Sequence, residues 1–344
     1  MTFANNVMLI YTGGTIGMNR NPRTGALEPF NFEHLLSNVP ELKQVKTNIA
    51  TYQFTPPIDS SDMSPKLWID LAHIIANNYN RYDGFVILHG TDTMAYTASA
   101  LSYMLENLTK PVILTGSQLP IGQLRTDGKE NLITSIEIAT AKRHDGTAMV
   151  PEVGIYFNGH LMRGNRTTKQ SADKFNAFES FNYPHLADAG VNIDYHAHRM
   201  LQPDYTKPMT PHFQLDCNVI VFTVFPGIRE DIVRRIIETP SLRSIVMRTY
   251  GSGNAPQVTW LIKALEYATS HGKVVVNISQ CMAGCVEMGR YDTGYQLKSA
   301  GVISGYDSTV ESAVTKLMYL QARYTDNHQV RNYMTRDIRG EMTV

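Results

Sequence analysis

The sequence predicts an α/β fold: a larger N-terminal domain with a mostly parallel sheet flanked by helices, plus a smaller α/β C-terminal domain with a parallel sheet. Three observations carry that expectation. Short runs of Val, Ile, Leu and Phe recur without in/out alternation, as in strands buried on both faces. Helical patterns fill the intervals between these runs, the arrangement that gives parallel strands with right-handed crossovers. The chain has 344 residues, enough for two domains at ~150 residues each.

The expected strands of the first domain are Val7–Tyr11, Phe85–Leu88, Val112–Thr115 and Val153–Phe157. A helix is expected over Pro65–Tyr79, with Ser64 as N-cap and Pro65 at the first helical position, where its missing N–H costs nothing. Thr93–Asn107 has apolar residues at Met94, Ala98, Leu101 and Leu105, a helical spacing, and Asn131–Lys142 is the third helix. The pattern dissolves in a stretch containing Pro, His and Asp. The expected division is therefore 1–190 for the domain with the candidate catalytic loops, 191–216 for a linker and 217–344 for the C-terminal domain. In the last part, strands are expected over Val219–Phe225, Ser244–Arg248 and Val274–Ile278, and helices near Glu230–Glu238, Pro256–Ser270 and Thr309–Arg323. Ser308 and Glu311 fit a capping box for the last helix.

Composition excludes several classes of function. Thirty-one Lys+Arg balance thirty-one Asp+Glu, so no electrostatic footprint points to nucleic acid or an anionic membrane. No apolar run approaches the ~20 residues that cross a bilayer. The N-terminal segment has no basic region, and its apolar stretch is too short for a secretory signal. Three cysteines, Cys217, Cys281 and Cys285, fit a reducing cytoplasm rather than a disulfide framework, and buried thiols are the expected state. His196 and His198 lack a third ligand at a recognisable spacing and read as a solvated segment, so no metal site is expected.

Chemistry concentrates where strands end. Val7–Tyr11 runs into Thr12-Gly13-Gly14-Thr15, Phe85–Leu88 into His89-Gly90-Thr91-Asp92-Thr93, and Val112–Thr115 into Gly116-Ser117-Gln118. In an open parallel sheet such loops gather at one edge, in the ligand-binding crevice. A single Gly-Thr loop is ordinary turn chemistry. Two of them with an acid point to acyl transfer, because a Thr hydroxyl becomes a nucleophile beside a base. No GxGxxG follows a strand, and neither a phosphate-binding P-loop nor a GxSxG elbow is present. The run Arg163–Lys169 follows the fourth strand and can bring a lysine to the same edge. If buried, that lysine would be held neutral and accept the proton.

These residues carry a resemblance. TGGTIG (Thr12–Gly17) and HGTDTMAYTASAL (His89–Leu101) resemble the two signature motifs of the bacterial-type asparaginase/glutaminase family. Asp59–Met63, RGNRTTK (Arg163–Lys169), Thr249–Pro256 and Asn277–Gly284 add similarity to its cytoplasmic type I branch. The resemblance implies hydrolysis of L-asparagine to L-aspartate and ammonia, with Thr15 as nucleophile and Thr91, Asp92 and Lys169 as a relay. Which threonine attacks first stays open. Asp59, Ser60 and Ser61, with Thr91 and Asp92, would hold the amino-acid head group. Thr168, Arg248, Ser279 and Cys281 resemble an effector pocket through which asparagine activates. No cofactor is implied; a side activity on glutamine and a homotetramer built as a dimer of dimers are. The family often has a tyrosine in the loop after TGGTIGM, whereas Met18–Phe30 has none. Tyr306 is the expected replacement. A tRNA-dependent amidotransferase subunit and a silent amino-acid sensor are the alternatives. The first motif's position at residue 12 and the neutral charge disfavour the former; the intact Thr15, Thr91, Asp92 and Lys169 disfavour the latter.

Overall fold

The structure is a computed structural model that describes residues 5–20, 23–24, 27–29, 39–289 and 292–344. Residues 21–22, 25–26 and 30 of the loop Met18–Phe30 lie outside the described residues. Within it, Met18–Arg20 pairs antiparallel with Leu27–Pro29. The chain divides into two compact units, Met1–Phe213 and Gln214–Val344.

The first unit is built on an eight-stranded sheet. Its strands are β1 (Asn5–Tyr11), β2 (Thr47–Gln53), β3 (Gly84–Leu88), β4 (Val112–Thr115), β5 (Val153–Phe157) and β6 (His160–Arg163). After a separate two-stranded ribbon, β7 (Thr168–Lys169) with β8 (Phe178–Glu179), the sheet is completed by β9 (Ala187–Ala189) and β10 (Ile193–Tyr195). The order is β10-β9-β6-β5-β4-β3-β1-β2. Strands β2, β1, β3, β4 and β5 are parallel, and β6, β9 and β10 extend the sheet antiparallel. All five residues of β3 and of β5 are buried, which is why their sequences show no alternation. At ~1.5–3 kcal/mol for each fully buried large aliphatic side chain, this layer dominates the stability of the unit.

Helix α1 (Pro65–Asn78) buries Trp68, Leu71, Ala72 and Ile75. Ser64 precedes it in extended conformation, but its side chain makes no cap hydrogen bond; its carbonyl instead accepts from the amides of Leu67 and Trp68. Helix α2 (Met94–Met104) stops before the expected end because Leu105–Glu106 pairs with Thr210–Pro211 and Asn107 adopts a φ of 58°. Helix α3 (Gly128–Thr140) begins earlier than expected. Strands β2, β6, β9 and β10 escaped the sequence reading. β2 is a half-exposed edge, TNIATYQ, and the others are short and mixed in composition. Thus Ile193–Tyr195, inside the stretch read as linker, is the edge of the large sheet, and His196 is hydrogen-bonded rather than merely solvated.

The second unit contains the parallel sheet β11 (Val219–Thr223), β12 (Ser244–Thr249), β13 (Val274–Ser279) and β14 (Ile303–Ser304), in that spatial order. Helices α4 (Glu230–Ile237), α5 (Thr259–Ser270), α6 (Asp292–Ser299), α7 (Val310–Arg323) and α8 (Asn327–Met334) accompany it. The expected N-cap is displaced by one residue. Thr309, not Ser308, is the N-cap of α7, and its Oγ1 accepts from Ser312 N at 3.1 Å. All three cysteines are exposed, against the expectation of buried thiols. Among the described residues, no helix is long and apolar enough to cross a membrane.

Candidate active site

The order β2-β1-β3-β4-β5 changes direction between β1 and β3. A doubly wound sheet opens a ligand crevice at that point, beyond the C-terminal strand ends. The Thr12–Thr15 and His89–Thr93 loops leave these two strands and touch at backbone level. A Cβ on Gly14 would lie 2.5 Å from both N and Cα of Gly90, and one on Gly90 would lie 2.4 Å from Ser60 Oγ. Gly14 also has a φ of 94°, which side-chain-bearing residues avoid. The glycines therefore let two hydroxyl-bearing loops meet.

Thr12 and Thr15 divide the work of the first loop. Thr12 is buried and donates its hydroxyl to Leu88 O at 2.9 Å, tying the loop to the end of β3. Thr15 opens the short turn Thr15–Gly17 directly after Gly14 and keeps its side chain partly exposed. In the second loop, Thr91 Oγ1 accepts a hydrogen bond from Lys169 Nζ at 2.8 Å, and the same nitrogen reaches Asp92 Oδ1 at 2.7 Å. The Lys169 side chain is 18% exposed and has a carboxylate partner, so it is less buried than the sequence reading supposed. The third loop contributes no free hydroxyl, because Ser117 Oγ donates to Leu119 O at 2.5 Å.

Lys169 is delivered by a rigid run. Gly164–Arg166 is buried, and Arg163 Nε bonds Glu152 Oε2 at 2.6 Å, both side chains being nearly inaccessible. Arg163 also lies 4.3 Å from the centre of the Tyr183 ring. Removing one partner of such a buried pair costs about 3–5 kcal/mol. The basic run is thus an anchor rather than a solvated loop, with Lys169 emerging from its end.

His89 was not singled out from the sequence, yet it sets the second loop. It is fully buried, and burial pushes its pKa down to about 4 against the opposing effect of its bond to Gly90. Nδ1 stands 2.7 Å from Gly90 O, a group that only accepts, so Nδ1 holds the ring proton. Nε2 then accepts from Thr97 Oγ1 at 2.9 Å, while that oxygen accepts from Trp68 Nε1 at 3.0 Å. The relay fixes the carbonyl immediately before Thr91. Protonation of His89 favours the unfolded chain. Its stabilising effect is therefore complete above about pH 6.5 and lost as the pH falls towards 4, a difference of about 3 kcal/mol. Urea midpoints should decline through that window and should decline less in His89→Gln. Equal pH dependence in both proteins would refute the assignment.

Asp59 Oδ1 accepts from the amide and hydroxyl of Ser61, each at 2.9 Å, so Asp59–Ser61 is a capped turn. It is also docked on the second loop, since Thr93 Oγ1 donates to the carbonyl of buried Ser60 at 2.6 Å. Of the residues expected in an effector pocket, Thr168 lies in β7 of the first unit, paired with Glu179. Arg248 and Ser279 are near the ends of adjacent strands of the second unit, and Ser279 Oγ accepts from Cys281 N at 2.9 Å. Tyr306 also belongs to the second unit, with a φ of 53°.

A hydroxyl bonded to an amine that is itself paired with a carboxylate, at the switch point of a parallel sheet, suits a hydrolase. Comparison with known proteins makes that class specific. Residues 6–201 match the family model "Asparaginase, N-terminal", and residues 218–334 match "Glutaminase/Asparaginase C-terminal domain". The chain belongs to the asparaginase family and is an amidohydrolase. It is 44% identical to L-asparaginase 1 of Escherichia coli over 98% of each chain. The crystal structure of L-asparaginase I from Vibrio cholerae superposes with a TM-score of 0.90 at 42% identity, covering 99% of both chains. The thermostable L-asparaginase from Thermococcus kodakarensis superposes with a TM-score of 0.89 at 30% identity, covering 98% of this chain and 99% of its own.

Proposed function

We propose that the chain hydrolyses the side-chain amide of L-asparagine to L-aspartate and ammonia through a threonine acyl-enzyme. The observation that carries this reading is the sharing of Lys169 Nζ between Thr91 Oγ1 and Asp92 Oδ1, beside the loop of Thr15. Thr15 Oγ1 attacks the carboxamide carbon, and its proton passes through the Thr91–Lys169 pair to the departing nitrogen. Backbone amides near Thr15 and Thr91 steady the oxyanion, a contribution typically worth ~100- to 1000-fold in turnover per donor. The C–N bond breaks, ammonia leaves, and a β-aspartyl ester remains. Water activated at Thr91 then cleaves the ester and restores the Thr15 hydroxyl. We assign the α-ammonium to Asp92 and Asp59, and the α-carboxylate to Ser60 and to Ser61 once its hydroxyl turns from Asp59.

Purified chain alone should release ammonia from asparagine; the absence of release would sink this reading. Glutamine should be turned over more slowly. One methylene is worth ~1–3 kcal/mol, so a ~10- to 200-fold preference in kcat/KM is expected. Activation by asparagine at Arg248, Ser279 and Cys281 of the second unit is the second part of the proposal. It is supported by Arg248 Nε, which is buried without a partner among the described residues and suits a carboxylate. Initial rates should rise sigmoidally with asparagine and become hyperbolic in Arg248→Ala. Hyperbolic rates in the unmodified chain would remove the effector role. A cytoplasmic homotetramer completes the reading, with solution mass as the check on assembly.

A further inference from the structure

The antiparallel edge of the large sheet gathers a second group of titratable side chains. His160 opens β6, Asp188 is the middle residue of β9, and His185 shortly precedes that strand. His160 Nδ1 and His185 Nδ1 lie 2.7 and 3.0 Å from the same oxygen, Asp188 Oδ1. One ligand atom from each of the three falls within 4.8 Å of the other two. Two further groups stand behind them. His196 Nε2 lies 2.9 Å from Asp188 Oδ2, and Glu179 Oε1 lies 3.1 Å from His185 Nε2.

Hydrogen bonding between neutral rings does not account for this arrangement. A neutral imidazole has one N–H, yet both nitrogens of His185 face carboxylate oxygens. One of them therefore needs a cation, either a second proton or a metal ion. A metal ion at Nδ1 would leave Nε2–H to donate to Glu179, the carboxylate–histidine–metal pattern common in metal sites.

We propose that His160, His185 and Asp188 bind a divalent transition-metal ion, with zinc the best match to two imidazoles and one carboxylate. Tetrahedral ligands about 2.0–2.2 Å from a zinc ion stand roughly 3.3–3.6 Å apart, so each imidazole nitrogen moves only slightly away from Asp188 Oδ1 to admit the ion. Water takes the fourth place. The ion ties β6 to β9, and through His185 and Glu179 it reaches β8, where Glu179 is paired with Thr168, the neighbour of Lys169.

The test uses the untagged, EDTA-treated chain, titrated with Zn²⁺ by calorimetry and with Co²⁺ by visible absorption. One equivalent of metal should bind, and acidification should release it as protons compete for the imidazoles. The double variant His160→Ala/His185→Ala should lose the binding, Asp188→Asn should weaken it, and Glu179→Gln should weaken it ~10- to 100-fold. His198→Ala, an exposed neighbour outside the cluster, should bind as the unmodified chain does. Circular dichroism identifies any variant that misfolds, in which case Glu179→Gln decides. The proposal is overturned if stoichiometric binding is absent, persists in the folded double variant, is unchanged in Glu179→Gln, or depends on His198.

Discussion

Thr15→Val is expected to lower asparagine turnover by roughly ten-thousand-fold or more, the scale of losing a covalent nucleophile. Valine keeps the shape of threonine and removes the hydroxyl. The side chain at 15 is only partly buried, and the loop is held elsewhere by Thr12 and by contact between Gly14 and Gly90. The melting temperature should therefore stay close to that of the unmodified chain, which makes turnover a clean readout. Retention of a tenth or more of the activity would remove Thr15 as nucleophile. If Thr91→Val were inactive in the same experiment, the attack would belong to Thr91.

The second large effect is expected at Lys169. Lys169→Met keeps the aliphatic stem and removes the nitrogen bonded to Thr91 and Asp92. Loss of a positioned proton acceptor should cost about 100- to 10,000-fold in kcat. Stability should hardly change, because Asp92 is 63% exposed and ion pairs at that exposure contribute about 0–1 kcal/mol. An activity loss therefore cannot be attributed to unfolding. Lys169→Arg is not expected to rescue turnover, since guanidinium does not give up its proton at accessible pH. A loss smaller than ten-fold in the methionine variant would mean that the proton goes elsewhere.

The strand–loop units were legible because their signals are local. A buried parallel strand appears as an unbroken apolar run, and the glycines and hydroxyls that follow it are contiguous in the chain. The family was legible because the two long motifs resemble those of its members. The antiparallel edge was not legible. β6, β9 and β10 are short strands stabilised by pairing with neighbours, so their own composition says little. His89 was hidden for a related reason. Its importance lies in Thr97 and Trp68, which reach it from α2 and α1, and no spacing within one element announces that chain. Even the cap of α7 moved by one residue, because Ser308 and Thr309 both qualify by type and only the backbone path selects between them.

The amino-acid order by itself determined the α/β class, the strand–loop units that hold Thr15 and Thr91, and the family to which the chain belongs. All of these depend on short-range patterns or on contiguous motifs. Tertiary structure alone decided that Lys169 bridges Thr91 and Asp92, that Asp59–Ser61 docks on the second loop, and that three histidines surround Asp188. Each of these joins residues whose proximity comes from sheet order and strand register, set by burying both faces of the sheet together and thus invisible in any single segment.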